Sequence, residues 1–173
     1  MRNKFFYDVV IVGAGPSGSN AAISYKNLNP DLKVAIFDKE HFPRDKSCGD
    51  AIGPGVISAL KRFNNDYILK NDPEVVSTTL FGPKNIGIHN YIPEVKNKED
   101  SIVFVIPRYD LDNRIFDLAK KSGAVSYEGF RYINFEKKED LLKVTFEDEN
   151  KKEFIVETNL LIGADGANSR VRK

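Results

Sequence analysis

Three glycines and one acid near the amino terminus have the types and the spacing that a dinucleotide site requires. The glycine turn covers residues 13–18 and consists of Gly13, Ala14, Gly15, Pro16, Ser17 and Gly18. Its first glycine allows a tight bend, its second lets the backbone approach a pyrophosphate, and its third lets the following helix pack closely on a strand. Asp38 follows the turn by twenty residues and would accept hydrogen bonds from the hydroxyls of an adenosine ribose. These residues therefore predict a binding site for an adenine dinucleotide.

The segments around the turn predict the strand, helix and second strand that must position it. Residues 5–12 are mostly apolar and β-branched, residues 19–28 have helical character, and residues 33–37 form a second apolar run that ends at Asp38. In this arrangement the N–H groups at the start of the helix, with the helix dipole behind them, bind phosphate groups. A glycine turn that merely opens an ordinary βαβ unit is the alternative. The coincidence of turn, strands, helix and acid favours the dinucleotide site.

Composition and charge limit the classes to which the protein can belong. The 173 residues are enough for one domain with a core, and 26 basic against 25 acidic residues indicate no nucleic acid partner. No apolar run approaches the roughly 20 residues of a transmembrane helix, and the amino terminus lacks the cleavage site of a secretory signal. The single cysteine, Cys48, forms no intrachain disulfide, and His41 and His89 stand alone, so neither a metal site nor a catalytic triad is predicted. We therefore expect a cytoplasmic protein, with peripheral membrane contact left open.

The rest of the chain predicts shorter elements of mixed type. In the middle part these are a charged loop at residues 39–53, a helix at 55–63, a hairpin at 74–80 with 86–89 and a polar loop at 90–100. A strand at 101–106 and a helix at 110–121 that is capped by Asp110 follow. The last third predicts a β-meander whose strands are linked by charged turns, at residues 124–135, 141–147 and 153–158. A separate buried strand at residues 159–162 then leads into a Gly-Ala-Asp-Gly turn that contains Asp165 and Gly166.

Four segments taken together resemble a family of FAD-dependent enzymes that contains geranylgeranyl reductases, aromatic-ring hydroxylases and flavin-dependent halogenases. They are the glycine turn, residues 44–49, residues 108–112 and residues 163–170. The geranylgeranyl reductase branch is the most similar, because its members carry Phe-Pro-Arg-Asp-Lys-x-Cys-Gly-Asp after the ribose-binding acid, as residues 42–50 do here. The resemblance implies an α/β fold over residues 1–173, with a Rossmann-like FAD-binding domain of the glutathione-reductase type and a β-meander crossover. It also implies that an inserted, substrate-facing sheet starts within residues 68–106.

On this resemblance, the amino-terminal part of the site would hold the adenosine and pyrophosphate groups of FAD. The glycine turn would bind the pyrophosphate, Asp38 would bind the adenosine ribose, and the adjacent Lys39 is a further candidate cofactor contact. Arg44 would lie along the cofactor near its ribityl and pyrophosphate groups, since a guanidinium suits phosphate and sugar oxygens. The alternative for Arg44 is a loop residue that pairs with Asp45.

The resemblance assigns further cofactor contacts to later segments of the chain. Arg108 would open a helix whose amino end faces FAD, and a residue that merely ends a strand is the alternative. Asp165 with Gly166 would shape the pyrophosphate region and the approach of a nicotinamide donor. An aspartate that only forms a turn is the alternative here, but the end of a strand is where α/β sheets bind ligands.

The resemblance also places Cys48, Gly49 and Asp50 in a loop that approaches the isoalloxazine ring and the substrate. They are therefore the candidate catalytic residues, and Cys48 is also a candidate cofactor contact; an inert small residue is the alternative for Cys48. In the reductases of this family, NAD(P)H reduces FAD, and the flavin then delivers a hydride to a prenyl carbon–carbon double bond. We expect this FAD- and NAD(P)H-dependent activity on a prenyl lipid, with flavin-dependent oxygenation or halogenation of an aromatic compound as the alternative.

Two further expectations concern the length of the chain. Family members carry a second Gly-Asp segment far downstream that binds the ribityl chain from the other side, whereas the Gly-Asp pair here is at residues 49–50. We therefore expect a truncated protein, and a remnant that binds FAD weakly or not at all is a second alternative. A plain NAD-dependent dehydrogenase is a third, which is disfavoured because that architecture has no required place for a Gly-Ala-Asp-Gly turn after a meander.

Overall fold

The computed structural model describes residues 5–63, 72–92 and 103–173. From the amino terminus, its helices and strands are β1 (Phe6–Val12), α1 (Pro16–Leu28), β2 (Val34–Asp38), β3 (Ala51–Ile52), α2 (Pro54–Phe63), β4 (Ser77–Phe81), β5 (Gly87–Tyr91), β6 (Phe104–Val105), α3 (Arg108–Lys121), β7 (Val125–Glu128), β8 (Arg131–Lys138), β9 (Leu141–Glu147) and β10 (Glu153–Gly163). They divide between two units, of which the first comprises Met1–Lys46 with Tyr109–Lys173 and the second Ser47–Arg108.

The first unit is built on a six-stranded sheet with the order β7-β2-β1-β10-β9-β8. β2 lies between β1 and β7 and is parallel to both, and β10 is parallel to β1 on its other side. β2 is buried along its whole length, which explains why it is an uninterrupted apolar run before Asp38. The predicted strand–helix–strand unit is confirmed, except that α1 begins at Pro16 rather than at residue 19. The fixed φ of proline suits the first position of a helix.

Aromatic rings fix the carboxyl end of β2, where Asp38 emerges. The ring of Phe37 is fully buried and stacks on Tyr127 of β7 and on Phe146 of β9, with centroid distances of 4.5 Å and 3.8 Å. Ring stacking and the burial of large side chains stabilise the positions of these strands relative to one another. The acid that follows Phe37 is therefore held on a rigid element.

The strand predicted at residues 124–135 is in fact two strands that belong to different parts of the sheet. β7 pairs parallel with β2, whereas β8 pairs antiparallel with β9. Gly129 separates them with a φ of +76°, a conformation that favours glycine, and the N–H of Phe130 donates to the carbonyl of Asp38 at 2.8 Å. The meander therefore consists of β8, β9 and β10, which confirms the crossover but corrects its first boundary.

The opposite error affects the end of the meander, because the predicted strands at 153–158 and 159–162 form one strand. The first half of β10 is antiparallel to β9, and its second half is parallel to β1. Thr158, where the boundary between them was predicted, is buried, and its hydroxyl donates to the carbonyl of Asp8 at 3.3 Å. One strand thus carries the chain from the meander to the Gly-Ala-Asp-Gly turn.

The second unit contains α2 and two short antiparallel pairs, β3 with β6 and β4 with β5. The hairpin predicted for β4 and β5 is confirmed with displaced bounds, and a 3₁₀ turn at Pro83–Asn85 joins the two strands. The predicted loop at 39–53 contains the two-residue strand β3, which is too short for a sequence pattern to indicate. The expectations for residues 68–71 and 93–102 lie outside the described residues, so the limits of the inserted sheet stay a prediction.

The helix α3 confirms the element predicted at residues 110–121 but begins two residues earlier, at Arg108. Asp110 therefore lies in the first turn of the helix rather than at its cap. Leu111, Ile115 and Ala119 form its buried apolar face. In the three described ranges of the chain, no helix is both long enough and apolar enough to cross a membrane.

Candidate functional site

A cleft of about 700 Å³ in the first unit brings most of the predicted cofactor residues together. The predicted residues in its lining are Gly13, Gly15, Asp38, Lys39, Arg44, Asp165 and Gly166. The lining also includes neighbours that sequence reasoning did not identify, namely Phe130, Arg131 and Tyr132 at the start of β8 and Asn168 and Arg170 after the Asp-Gly turn. These segments share the cleft because β1, β2 and β10 end at the same edge of the sheet, where α/β folds bind ligands.

The three glycines of the turn are each required for a different geometric reason. Gly13 has a φ of +101°, and a Cβ there would lie 2.4 Å from the carbonyl oxygen of Ala164. A Cβ on Gly18 would lie 1.8 Å from the carbonyl oxygen of Gly13, so α1 approaches β1 too closely for any side chain. A Cβ on Gly15, by contrast, would meet only the Nη2 atom of Arg44, at 3.4 Å. The space in front of Gly15 is therefore open to a ligand.

The amino end of α1 has the properties of an anion site. Gly15 occupies the N-cap position and has no side chain with which to cap the helix. Pro16 follows as the first helical residue and has no N–H, so the first free donors are the N–H groups of Ser17 and Gly18. These donors and the positive end of the helix dipole favour a phosphate at this position.

Asp38 is almost fully buried and already holds the backbone around it. Its Oδ2 atom accepts a hydrogen bond from the N–H of Ala14 at 2.6 Å, and its Oδ1 atom accepts one from the N–H of Glu40 at 2.9 Å. The carboxylate therefore fixes the glycine turn from the side. Each carboxylate oxygen can accept a second hydrogen bond, so the predicted contact with ribose hydroxyls remains available. Lys39 forms an exposed ion pair with Glu40 at 3.4 Å, on the rim of the cleft.

The guanidinium of Arg44 is held from α3. Its Nη1 atom lies 3.5 Å from Oδ2 of Asp112, whose side chain is 0% exposed. Asp112 was missed by sequence reasoning, although an acid next to Leu111 on the buried face of a helix is unusual enough to signal a function. Arg44 also lies over the ring of Phe42, with Cζ 4.8 Å from the ring centroid.

The Asp-Gly turn after β10 places Asp165 in the lining of the cleft. Burial acts to raise the pKa of Asp165, but hydrogen bonds from the Ser169 hydroxyl and the Arg170 N–H outweigh it, so the pKa lies below its ordinary value. The Arg170 bond reaches Oδ2 at 2.6 Å. The Oδ1 atom is buried and has no hydrogen-bond partner within the described part of the chain. Burial, reinforced by the nearby charge of Asp165, raises the pKa of Tyr132.

The remaining predicted residues form a cluster in the second unit. The Cys48 thiol is exposed, and its pKa is lowered by a hydrogen bond from the Asp50 N–H and then by one from the Arg108 side chain. Asp50 has a φ of +56°, and its Oδ1 atom accepts a hydrogen bond from the Arg108 N–H at 3.3 Å. A Cβ on Gly49 would meet no described atom within 4 Å, so packing does not require glycine there. Across the residues that the structure describes, no three His, Cys, Asp or Glu side chains converge in a way that could hold a metal ion.

The Cys48 cluster predicts an unusually acidic thiol. Because the thiolate is the reactive form, alkylation by iodoacetamide is expected to have a midpoint below pH ~8.5, the ordinary value for a free cysteine. Cys48 is the only cysteine in the chain, so mass spectrometry reads the reaction without ambiguity. In Arg108→Ala the midpoint is expected to rise toward the ordinary value, whereas Arg114→Ala, a half-exposed control on α3, leaves it in place. An equal midpoint in the wild type and Arg108→Ala would contradict the contact.

The family model named FAD binding domain matches residues 6–173. The chain is 32% identical over 167 residues to geranylgeranyl diphosphate reductase of Rhodobacter capsulatus, which covers 96% of the chain and 39% of that protein. It is also 32% identical over 127 residues to menaquinone reductase of Mycolicibacterium smegmatis, which covers 73% of the chain and 30% of that protein. The chain thus spans about two fifths of the length of the curated relatives, or less.

The fold is also similar to that of a solved FAD-dependent halogenase. The myxobacterial chondrochloren halogenase superposes with a TM-score of 0.79 at 17% sequence identity, over 96% of the chain and 39% of that protein. At this identity the likeness shows the fold alone. It confirms the Rossmann-like FAD-binding architecture that the sequence predicts.

Proposed function

The chain belongs to the FAD-binding domain family, and on that premise we propose that its cleft binds the adenosine and pyrophosphate half of FAD. The observation that carries this proposal is that Gly15, Asp38 and Arg44 meet in one cleft at the amino end of α1. Gly15 leaves the backbone open to a pyrophosphate, the Asp38 carboxylate can accept hydrogen bonds from a ribose, and the Arg44 guanidinium can bind phosphate oxygens. These features suit an adenosine diphosphate group. The known members of the family include FAD-dependent oxidoreductases.

The residues present fit the pyrophosphate and the ribose of this ligand. The pyrophosphate would lie in front of Gly15, within reach of the Ser17 and Gly18 N–H groups and of the Arg44 guanidinium. The ribose would lie beside Asp38. The buried Oδ1 atom of Asp165 supports the fit, because an unsatisfied buried acceptor is costly and a hydroxyl or N–H group of a ligand would satisfy it.

We further propose that the activity is NAD(P)H-dependent reduction of a carbon–carbon double bond in a prenyl lipid. When bound, FAD supplies the hydride-transfer chemistry. Saturation of a double bond adds a hydride to one carbon and a proton to the other, and the acidic Cys48 thiol is the group that we propose to supply the proton. Because Cys48 is exposed, solvent can return that proton to the thiolate. The reductase relatives and the Cys-Gly-Asp loop support this proposal.

Two alternatives remain. One is flavin-dependent oxygenation or halogenation of an aromatic compound, and the other is a remnant that binds FAD weakly or not at all. Two incubations of the protein separate the reductase from the first alternative: one with NADPH and geranylgeranyl diphosphate without oxygen, and one with NADPH, oxygen, a halide and an aromatic compound. A saturated product supports the reductase, and oxygen consumption coupled to a hydroxylated or halogenated aromatic product would support the alternative.

Binding of FAD to the purified chain tests the cofactor proposal directly. FAD is expected to raise the melting temperature, with a stabilisation of about 2.7 kcal/mol at a concentration 100 times Kd. ADP is expected to displace FAD because it carries the groups that the cleft recognises, whereas riboflavin, which lacks them, is not. Flavin fluorescence and differential scanning fluorimetry measure both effects. A chain that no concentration of FAD stabilises would support the remnant, and tight NADH binding without FAD binding would support a dehydrogenase.

A further inference from the structure

We infer that Asp112 is a positioning residue for the cofactor pyrophosphate, which it serves through Arg44; this inference rests on the proposed binding of FAD. Asp112 is fully buried in α3 and approaches Nη1 of Arg44 at 3.5 Å. The other terminal nitrogen of the same guanidinium, Nη2, lies 3.4 Å from the position that a Cβ on Gly15 would occupy. The guanidinium therefore reaches from a buried carboxylate to the point where the pyrophosphate would lie.

A second contact from the same helix fixes the plane of the guanidinium. Arg44 lies over the ring of Phe42, and that ring packs against Phe116 with a centroid distance of 4.5 Å. Phe116 follows Asp112 by one helical turn, so the two side chains lie on the same face of α3. α3 thus acts on the guanidinium in two ways. Asp112 forms an ion pair with one of its edges, and Phe116 packs against the Phe42 ring over which the guanidinium lies.

This arrangement matters because Arg44 is in a segment without regular structure. Residues 39–46 form no helix or strand, and a free arginine side chain has about 2 kcal/mol of rotamer entropy to lose when it binds a ligand. An arginine that is already held in its binding geometry loses much less, which increases affinity. Asp112 would therefore raise the affinity for FAD by orienting Arg44.

The direction in which FAD affinity changes when Asp112 is removed distinguishes the orientation of Arg44 from a simple effect of charge. The carboxylate of Asp112 offsets part of the positive charge of Arg44, so its removal would strengthen phosphate binding if long-range attraction were all that mattered. If Asp112 acts by orienting Arg44, its removal weakens phosphate binding. The two mechanisms thus predict opposite changes in the affinity for the same ligand.

The test compares Asp112→Asn with Asp110→Asn in the full chain. Asp110 is a matched control because it lies on the same helix, is half exposed and forms a surface pair with Arg114 at 3.9 Å. Asp112→Asn is expected to weaken FAD binding about tenfold, the equivalent of one charge-assisted hydrogen bond, and Asp110→Asn is expected to leave it unchanged. Displacement of FAD by ADP and by adenosine gives the phosphate-specific readout. The preference for ADP over adenosine is expected to fall in Asp112→Asn.

Further variants separate positioning from a merely structural role. In an Arg44→Ala background, Asp112→Asn is expected to cause no further loss of the ADP preference, whereas additive losses would overturn the inference. Unchanged or tighter FAD binding by Asp112→Asn would also overturn it. Because removal of one buried charge can unfold a protein, Arg44→Lys provides an independent variant. A single ammonium cannot reach both Asp112 and the phosphates, so Arg44→Lys should lose the ADP preference, and wild-type behaviour would contradict the inference.

The wild type separates this inference from the proposed function. A wild-type chain that binds neither FAD nor ADP overturns the FAD proposal before any variant is made. A wild-type chain that binds both, with an ADP preference that Asp112→Asn and Arg44→Lys leave intact, overturns only the role of Asp112.

Discussion

Replacement of Gly18 by alanine is expected to destabilise the first unit by about 2–4 kcal/mol and to abolish FAD binding with it. The added Cβ would lie 1.8 Å from the carbonyl oxygen of Gly13 and 3.2 Å from the Ile11 side chain. The first of these atoms is backbone, so no side-chain rotation can relieve the contact. α1 would have to move away from β1, and that movement would also displace the glycine turn from the cleft. Urea unfolding followed by circular dichroism measures the loss.

Gly55→Ala is the matched control for this prediction. Gly55 is in the first turn of α2, and a Cβ there would meet no described atom within 4 Å. The substitution should leave the chain as stable as the wild type or stabilise it by up to about 1 kcal/mol, because alanine favours a helix more than glycine does. If Gly18→Ala unfolded at the same urea concentration as the wild type, the close packing of α1 on β1 would be wrong.

The strand–helix–strand unit could be predicted from sequence because its signals are local. The apolar run at residues 5–12, the glycine turn and the run that ends at Asp38 are each readable within a short window. The turn also requires glycine at two of its positions, since Gly13 adopts a φ of +101° and Gly18 leaves no room for a side chain. Where short-range chemistry determines the geometry, the sequence alone is sufficient.

The boundaries in the last third failed because they depend on pairing between distant segments. Residues 125–128 and 131–138 have similar patterns, but one pairs with β2 and the other with β9, and only the turn at Gly129 separates them. In β10 the polar Thr158 is buried at the point where the strand exchanges one neighbour for another. A local pattern contains no information about which strand lies next to a given residue.

In the candidate site, too, local sequence signals indicated some residues and missed those that depend on distant contacts. Asp38 was assigned from its position after a strand, and its two hydrogen bonds to the N–H groups of Ala14 and Glu40 show a structural role that spacing does not reveal. Asp112 was missed because its partner, Arg44, is 68 residues away in the chain. A buried acid on a helix is a signal, but only the fold shows which cation it holds.

Gly15→Val is expected to reduce FAD affinity by about 100-fold or more while the chain remains folded, the loss expected for two charge-assisted hydrogen bonds to phosphate. Gly15 has a φ of −63° and a ψ of −179°, which valine can adopt, and its Cβ would meet only the flexible end of Arg44. The valine methyl groups would instead fill the space that the pyrophosphate needs. Stability within about 1 kcal/mol of the wild type is therefore expected, together with a smaller affinity loss in Gly15→Ala.

Fluorescence titration with FAD, paired with urea unfolding of the apo chain, measures both quantities. Because Gly18→Ala should impair folding and Gly15→Val should impair binding alone, wild-type FAD affinity in a folded Gly15→Val chain would show that the pyrophosphate lies elsewhere.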